Sequence, residues 1–320
     1  MKTHRRRTTM APNVTSKELL QSRQVGVIPH PFIARELNPQ VFCLGSCFAL
    51  EIKKALRESG FRVAPWDYDL SVPLPNGEVY ASDGERLLLY NTFTIRQEFE
   101  KAFGLWTQSS DDFWETEPES AETLSLFWDP YRRFVRHHEH QGVLEITRVF
   151  DGLLRSGILD SDVYIITLGL TEVWRKNNNG LYANAMVGAV REQLTFRQST
   201  YEENYDNMKT VVDLVLTTFP NRKFLLTVSP IPLKKTFSGE DISVANAESK
   251  SILRAVAGRL AREYPAVTYF PSFEICSLAE KFGTESVYIE DGRHVRREMV
   301  QHIMRVFLAN YVIPGPREPR

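Results

Sequence analysis

Val41-Phe-Cys-Leu-Gly-Ser-Cys-Phe-Ala49 is the stretch of sequence that decides the fold. Its apolar run ends at Gly45, and Ser46 follows at once. From Phe48 onward, apolar residues recur at helical spacing as far as Gly60, where the pattern ends. The pattern predicts a strand, a tight turn and a helix, with the serine in the turn. Open α/β sheets bind their ligands at the carboxyl ends of strands, so this serine lies where a site is expected.

Ser46 has two interpretations, one structural and one chemical. As a helix N-cap it would only accept a hydrogen bond from a backbone N–H of the first turn. As a nucleophile it would lie beside N–H groups that have no partner inside the helix and that can hold a negative oxygen. The segment alone favours the cap, so the choice depends on what the rest of the chain supplies.

The overall composition limits the class of protein. The 320 residues, 42% of them hydrophobic, are enough for one large domain or two small ones with a sizeable core. Lys and Arg total 39 against 40 Asp and Glu, a net charge of −1, so bulk charge indicates neither a nucleic-acid nor an anionic-membrane partner. No apolar run approaches a membrane span, and no apolar segment of signal-peptide length follows the basic N-terminus. We therefore expect a cytoplasmic protein.

The sequence offers no motif for a metal or cofactor. Cys43, Cys47 and Cys276 are an odd number without metal-ligand spacing, which indicates free thiols in a reducing compartment. His137-His-Glu-His140 contains metal-type ligands but no histidine pair at i and i+4, so we expect a surface turn there. A P-loop, a Gly-x-Gly-x-x-Gly and a His-Glu-x-x-His pattern are all lacking. We predict no metal and no cofactor.

The domain organisation follows from where regular patterns begin and end. We interpret residues 1–38 as a partly disordered N-terminal arm, residues 39–312 as one α/β domain and residues 313–320 as a C-terminal tail. Within the domain, residues 61–160 are irregular apart from helical patterns at about 92–103 and 144–154, and residues 103–130 concentrate aromatic residues among acids without clean periodicity. Such a segment is typical of an inserted cap over a domain face, and it is equally consistent with an ordinary satellite core under long loops.

From residue 160 onward, strands and helices alternate with short linkers. The strand patterns are short and almost wholly apolar, as in parallel strands that are buried on both faces. One helix opens with the capping box Thr200-Tyr-Glu-Glu203. The predicted strands are 163–168, 223–229 and 267–270, and the predicted helices begin near residues 200, 245 and 296. This alternation predicts a three-layer α/β/α sandwich around a central parallel sheet.

Asp291 and His294 supply an acid and a base that a serine nucleophile needs. A parallel sheet brings their loop to the same edge as Ser46, because the carboxyl ends of parallel strands meet there. The spacing of three suits an acid that binds one ring nitrogen while the other faces a serine hydroxyl, which is un-ionised at neutral pH. The order Ser, Asp, His also occurs in α/β-hydrolases, but this chain has no Gly-x-Ser-x-Gly elbow.

Gly45-Ser-Cys-Phe-Ala49 resembles the signature that names the GSCFA family, a bacterial group related to the SGNH (GDSL-like) hydrolases. The resemblance extends over about residues 41–310. The further matching segments are Asn91-Thr-Phe-Thr94, Thr167-Leu-Gly-Leu-Thr-Glu-Val-Trp174, Thr227-Val-Ser-Pro-Ile-Pro232, Tyr269-Phe-Pro-Ser-Phe-Glu274 and Glu290-Asp-Gly-Arg-His294. It implies a flavodoxin-like α/β/α fold and a serine esterase or acyltransferase. Ser46 would match the nucleophile, and Asp291 and His294 would match the acid and base of the last block.

The third block departs from the SGNH pattern. Gly169 begins it, and SGNH enzymes follow with an asparagine whose side chain completes the oxyanion hole. Here Thr171 and Glu172 stand at the corresponding positions. The candidate oxyanion donors are therefore the N–H of Ser46 or Cys47, the N–H of Gly169, and a polar side chain. For that side chain the candidates are the Thr171 hydroxyl and the amides of Asn91 and Asn184. Glu172 is expected either to contact substrate or to bind strand-end backbone.

The function that the resemblance implies is turnover of an acyl ester, for which we consider O-acetyl on a carbohydrate or small molecule. Ser46 would attack the acyl carbonyl with His294 as base, and water or an acceptor hydroxyl would then release the acyl group. Cys47 is an alternative nucleophile, although the first residue after such a turn lies inside the helix, where thiols are inert. A different class of function is a catalytically inactive, carbohydrate-binding module that keeps the fold; the missing asparagine motivates it.

Overall fold

The computed structural model describes residues 27, 30–31, 33–117, 125–184, 188–282 and 285–313. Most of the predicted N-terminal arm and nearly all of the predicted C-terminal tail lie outside these residues. The division of the chain at residues 38 and 312 therefore stays a prediction. All three cysteines are described, and all three are free.

The central sheet has five strands, which are all parallel. In chain order they are β1 (Gln40–Gly45), β2 (Arg62–Ala64), β3 (Val163–Leu168), β4 (Lys223–Val228) and β5 (Val267–Phe270). Their spatial order is β2-β1-β3-β4-β5. This is the flavodoxin-like doubly wound order. The predicted central parallel sheet is confirmed.

Helices cover both faces of this sheet and so complete the three layers. They are α1 (Cys47–Glu58), α2 (Thr92–Ala102), α3 (His140–Asp160), α4 (Tyr201–Thr218), α5 (Ile242–Glu263), α6 (Ser272–Phe282) and α7 (Arg297–Tyr311). Phe42 and Leu44 pack with α2 to α5 on one face, whereas Val41 and Cys43 pack with α1, α6 and α7 on the other. Adjacent strand residues face opposite ways, so both faces must be apolar. Each fully buried large side chain contributes about 1.5–3 kcal/mol.

Short antiparallel sheets surround this core. One is a hairpin (Ser71–Pro73 with Val79–Ala81), and another has the order Trp114–Thr116, Leu126–Trp128, Arg136–His137. A third has the order Tyr182–Ala183, Glu172–Lys176, Leu194–Gln198. Two further short strands, Ile33–Ala34 and Val312–Ile313, pair with each other. Residues 61–160 contain two of these sheets, which the sequence did not predict, together with α2 and α3, which agree with the predicted helical patterns. Their use as a cap stays a prediction.

Gly45 is the point at which β1 can turn into α1. Its φ is +136°, a conformation that residues with a Cβ rarely adopt. A Cβ on Gly45 would lie 2.1 Å from the carbonyl oxygen of Thr167, which faces it on β3. The residue at this position must therefore be glycine if β1 and β3 are to stay paired to their ends.

Replacing Gly45 with alanine should destabilise the protein by at least about 2 kcal/mol, because the backbone strain adds to a clash with a main-chain atom. Urea unfolding measures the change. The matched control is Gly77→Ala, since Gly77 also has positive φ, +87°, but has no atom within 4 Å of the added methyl. The control should lose only about 1 kcal/mol. Equal losses in the two variants would contradict this account of Gly45.

Candidate active site

Ser46 and Gly169 lie at the topological switch point of the sheet. From β1 the chain first goes to β2 on one side and then to β3 on the other, so a crevice opens between the carboxyl ends of β1 and β3. Ser46 follows β1 directly, and Gly169 follows β3 directly. The last residues of the two strands are in register, with Gly45 opposite Thr167. The sheet topology therefore brings two of the predicted site residues together.

The Ser46 hydroxyl makes no structural bond. The residue occupies the N-cap position of α1, but its side chain accepts no hydrogen bond from the helix. Its Oγ is buried and has no hydrogen-bond partner among the described residues. A buried polar group without a partner costs about 1–3 kcal/mol. Capping therefore does not explain why a serine stands here.

Gly169 lies against Ser46 and leaves no room for a side chain. A Cβ on Gly169 would be 3.1 Å from the Ser46 Cβ and 2.5 Å from the carbonyl oxygen of Tyr90. That carbonyl accepts a hydrogen bond from the Leu170 N–H at 2.9 Å. The carbonyl of Gly169 itself accepts one from Lys250 Nζ at 2.7 Å. The loop after β3 is thus held from two sides while it touches the serine.

Two backbone N–H groups at the crevice are free to bind an anion. The Ser46 N–H is not one of them, because it donates to the Thr167 carbonyl at 3.2 Å. Within the described part of the chain, neither the Cys47 N–H nor the Gly169 N–H donates to any acceptor. Cys47 is the first residue of α1, where N–H groups lack partners and favour negative charge.

Asn91 supplies a third donor next to this loop. It caps α2 by accepting a hydrogen bond from the Thr94 N–H on Oδ1 at 2.9 Å. This bond sets the orientation of the amide, so Nδ2 is the donor on the other side, and it has no acceptor among the described residues. Asn91 is 5% exposed and directly follows Tyr90, whose carbonyl touches Gly169.

Asn184 and Thr171 are placed differently from Asn91. The Asn184 amide is used on both sides, donating to the Leu88 carbonyl at 2.6 Å and accepting from the Tyr90 N–H at 3.4 Å. Asn184 therefore holds the segment before Asn91. Thr171 is fully buried; its N–H donates to Ser249 Oγ at 3.0 Å, and its own hydroxyl has no partner within the described residues.

Glu172 is bound to the loop after β4. One carboxylate oxygen accepts from the Phe237 N–H at 3.1 Å, and the other accepts from the Thr236 hydroxyl. The side chain is 8% exposed. These bonds correspond to the backbone-binding alternative for Glu172.

Asp291 and His294 form a self-contained acid–base pair in a turn before α7. Asp291 Oδ1 accepts from the backbone N–H groups of Arg293 at 2.8 Å and His294 at 2.9 Å. Asp291 Oδ2 binds His294 Nδ1. The backbone N–H of His294, its ring and the N–H of Arg293 together lower the Asp291 pKa to about 2. Carboxylate and ring are therefore already oriented as a serine hydrolase needs them.

The acid–base pair is not in contact with the serine. Because Ser46 Oγ has no partner, His294 makes no hydrogen bond to it. The turn nevertheless lies on the loop that follows β4, through a bond from Arg293 Nε to the Pro232 carbonyl at 3.3 Å. The His294 side chain is 48% exposed, whereas Ser46 is 5% exposed. Catalytic hydrogen bonds are often long before substrate binds, so the arrangement is compatible with a site that closes.

Cys47 lies beside an aromatic and a basic side chain. Its thiol is 3.7 Å from the Tyr90 hydroxyl, which also binds Arg133. Burial is the main reason that the Tyr90 pKa is raised, so this phenol stays protonated near neutral pH. These contacts place a hydrogen-bonding group beside the residue that follows Ser46.

Glu78, His137 and His138 are the group in the described chain whose atoms lie close enough to hold a metal ion, within 4.8 Å of one another. A hydrogen bond of 3.0 Å joins His137 Nε2 to Glu78, and the two rings stack at 4.1 Å. These contacts explain the proximity without an ion. His137 is buried rather than on a surface turn, in space that Gly142 leaves by having no side chain.

Lys250 and Tyr90 are site residues that the sequence reasoning missed. A signal existed for Lys250, since it shares a face of α5 with Leu253, Ala257 and Leu260, which are all buried. A lysine at an inward position of an otherwise apolar face is unusual. For the Tyr90 carbonyl there was no signal, because any residue has one.

None of the described helices is long and apolar enough to cross a membrane.

The sequence model of the GSCFA family matches residues 40–307. No curated protein matches the chain. Among solved structures, the chain is similar to a GDSL-like lipase from Bacteroides thetaiotaomicron, at 10% identity and TM-score 0.40, covering 92% of this chain and 94% of that one. It is also similar to the carbohydrate acetylesterase Est24 from Sinorhizobium meliloti, at 14% identity and TM-score 0.31, covering 85% and 97%.

A third similar structure comes from Streptococcus pneumonia and carries a provisional platelet-activating-factor name. It is 14% identical, with a TM-score of 0.30, and the match covers 47% of this chain. The match spans 59% of that protein, which is less than two thirds of its length.

Replacing His294 with alanine should raise the Asp291 pKa from about 2 toward its ordinary value of 3.8, because the ring bond is lost while both backbone bonds remain. Carbon NMR of the Asp291 carboxyl, titrated from pH 1.5 to 6, measures the midpoint. In the wild type the ionised Asp291 carboxylate stabilises the folded state above pH 3.8, and this stabilisation is lost as pH falls toward 2. A midpoint that is unchanged in the variant would contradict the pairing.

Proposed function

The chain belongs to the GSCFA family, which is matched over residues 40–307, and from this premise we propose that it is a serine esterase of the SGNH type with Ser46 as nucleophile. The observation that carries the proposal is the Ser46 hydroxyl, which is buried at the switch point and bonded to nothing among the described residues. A hydroxyl that costs stability and caps no helix is best explained by chemistry.

In the proposed acylation, His294 takes the proton from Ser46 Oγ as the oxygen attacks the acyl carbonyl carbon. Asp291 holds the ring by Nδ1, which leaves Nε2 for the serine, and stabilises the imidazolium that forms. The imidazolium then protonates the leaving alkoxide. The step requires the turn at Asp291–His294 to close by enough to bring Nε2 within hydrogen-bond reach of Ser46 Oγ.

Three donors are proposed to hold the oxyanion: the N–H of Cys47, the N–H of Gly169 and Asn91 Nδ2. Each is free among the described residues, and each belongs to the crevice between β1 and β3 or to the segment that touches it. Donors of this kind act because they are oriented before negative charge develops. Thr171 is less suited, since the residue is fully buried.

The acyl-enzyme is proposed to break down by attack of water, with His294 as base, which regenerates Ser46 and releases the acid. An acceptor hydroxyl in place of water would make the same machinery an acyltransferase. We propose an acyl ester of a carbohydrate or small molecule as the substrate, with O-acetyl as the simplest acyl group; the support is the family relationship. The three free cysteines support a cytoplasmic location.

A second candidate function is a binding module for a carbohydrate or a related ligand, without catalysis. One observation favours it: the serine and the histidine make no hydrogen bond in this structure. Such a protein would use the crevice and would tolerate loss of the Ser46 hydroxyl.

Ser46→Ala should abolish turnover of p-nitrophenyl acetate, by at least about 10³-fold, because no other oxygen replaces the nucleophile. Its stability in urea should be unchanged or up to about 1 kcal/mol higher, since a buried hydroxyl without a partner is removed. The matched control is Ser229→Ala, also buried at this edge, whose hydroxyl accepts from the Ile231 N–H at 3.3 Å.

The control should keep the turnover and lose stability. Undiminished turnover in Ser46→Ala would end the esterase proposal in favour of the binding module. If Ser46→Ala instead lowered the free energy of unfolding by about 1 kcal/mol, Ser46 would again be interpreted as a helix cap.

Asn91→Asp should lower kcat by about 10²–10³-fold, because the carboxylate keeps the acceptor that caps α2 but removes the Nδ2 donor. The comparison variant is Thr171→Val, which removes a hydroxyl of similar shape and should leave kcat within about threefold. Steady-state kinetics on p-nitrophenyl acetate give both values. The reverse ranking of the two variants would assign the third donor to Thr171.

A further inference from the structure

Two consecutive side chains of α5 hold the loop that contains Gly169. Lys250 Nζ donates to the Gly169 carbonyl at 2.7 Å, and Ser249 Oγ accepts from the Thr171 N–H at 3.0 Å. Lys250 is 2% exposed and Ser249 is 1% exposed. The Gly169–Leu170 peptide is also held on its other side, by the bond from the Leu170 N–H to the Tyr90 carbonyl. This peptide therefore has little freedom. The Gly169 N–H belongs to the preceding peptide, whose Leu168 carbonyl accepts a hydrogen bond from the Ser229 N–H at 2.9 Å.

Lys250 differs from the other buried cations of the described chain. Lys53 lies 3.6 Å from Asp67, Lys176 lies 3.0 Å from Asp112, and Arg132 binds Glu98 at 2.8 Å. No salt bridge joins Lys250 to a carboxylate within the described ranges, and its hydrogen bond goes to a neutral carbonyl. Burying an ammonium without an anion is expensive, and a neutral donor could make the same bond.

The groups that act on Lys250 belong to the proposed site. Burial is the main cause that lowers the pKa of Lys250, to about 7; the positive charge of Arg293 lowers it further, and Cys47 opposes both. Arg293 lies in the turn of the acid–base pair, and Cys47 follows the nucleophile. On α5, Glu248 is bonded to Gln198 and Arg254 to Glu274. On the neighbouring elements, Tyr269 of β5 is bonded to Glu274 and Tyr205 of α4 to Glu263.

We infer that Lys250 is a positioning residue of the proposed esterase, which fixes the Gly169 N–H beside Ser46 and supplies the positive charge that balances the oxyanion. The inference rests on the proposed function. Lys250 Nζ binds the Gly169 carbonyl, and the N–H of the same residue has no acceptor among the described residues, so the buried charge lies one residue from a proposed oxyanion donor. A buried charge that is separated from the oxyanion by one residue should change kcat by about 10- to 100-fold.

The kcat of the proposed esterase should depend on the ionisation of Lys250. Below about pH 7 the Lys250 ammonium is charged and stabilises the oxyanion. As pH rises above about 7 this charge is lost, so kcat should decline on the basic side of the pH profile. The neutral amine can still donate to the Gly169 carbonyl, so the loop stays in place.

The test compares Lys250→Met, which removes donor and charge, with Lys250→Gln, which keeps a donor, and with the surface control Lys209→Met. Kinetics on p-nitrophenyl acetate from pH 5.5 to 9.5 are expected to show kcat lowered by about 10- to 100-fold in both Lys250 variants, with KM within threefold. Both should lose the basic decline that the wild type and the control retain. A basic decline that persists in both variants, or wild-type kcat in Lys250→Gln, would overturn the inference.

A second measurement separates this inference from the proposed function. The Lys250 pKa is about 7 in the folded chain and 10.5, the ordinary lysine value, in the unfolded chain. Between these two pH values the unfolded chain binds a proton that the folded chain does not, so the free energy of unfolding rises with pH over this range. Urea midpoints of wild type minus Lys250→Met should therefore increase from pH 7 to 10. A flat difference would overturn the buried charge and the inference. If the wild type has no turnover that depends on Ser46, the proposed function and this role both fail, whatever the urea midpoints show.

Discussion

The close approach of two backbones at the ends of β1 and β3 is the constraint on which the rest of the site depends. Gly45 has no side chain because the Thr167 carbonyl occupies that space, and Gly169 has none because Ser46 and the Tyr90 carbonyl occupy it. Each glycine lets the chain leave its strand without a clash, so that a helix N-terminus and a loop meet at one serine. The nucleophile and the proposed oxyanion donors lie at this meeting point or on the segments that touch it, whereas the acid and base lie on a separate turn.

The two halves of the proposed machinery are supported differently. The nucleophile and the oxyanion donors belong to the buried switch point of the sheet, where bonds from Lys250, Ser249 and Asn184 hold the surrounding loops. The acid and base belong to an exposed turn that is held mainly by bonds within itself. Because Asp291 binds both the backbone and the ring of His294, the pair can move as one unit without losing its orientation. A buried serine and a base on an exposed turn are compatible with a site that closes when a substrate is present.

Much of the fold could be predicted from the sequence because it depends on local pattern. The apolar runs of β1, β3 and β4 and the capping box at Thr200 are short-range signals, and the structure confirms each of them. The antiparallel sheet within residues 172–198 could not be predicted, because its strands are short, mix apolar with charged residues, and pair through contacts set by the rest of the fold. The same contrast between local patterns and long-range contacts holds for the candidate site. Ser46 and Gly169 were placed by strand ends, whereas the engagement of Asn184 and the contact of Lys250 depend on distant segments.

The central claim is that Ser46 is a nucleophile, and the most direct measurement is peptide mass mapping after reaction with a fluorophosphonate. The wild type is predicted to carry one adduct, on Ser46, because the probe reacts with serines that have a base and an oxyanion hole. The reaction should be much slower in His294→Gln, which keeps the size of the ring side chain but not its basicity. An adduct on any other residue, or no adduct on a correctly folded wild type, would contradict the account.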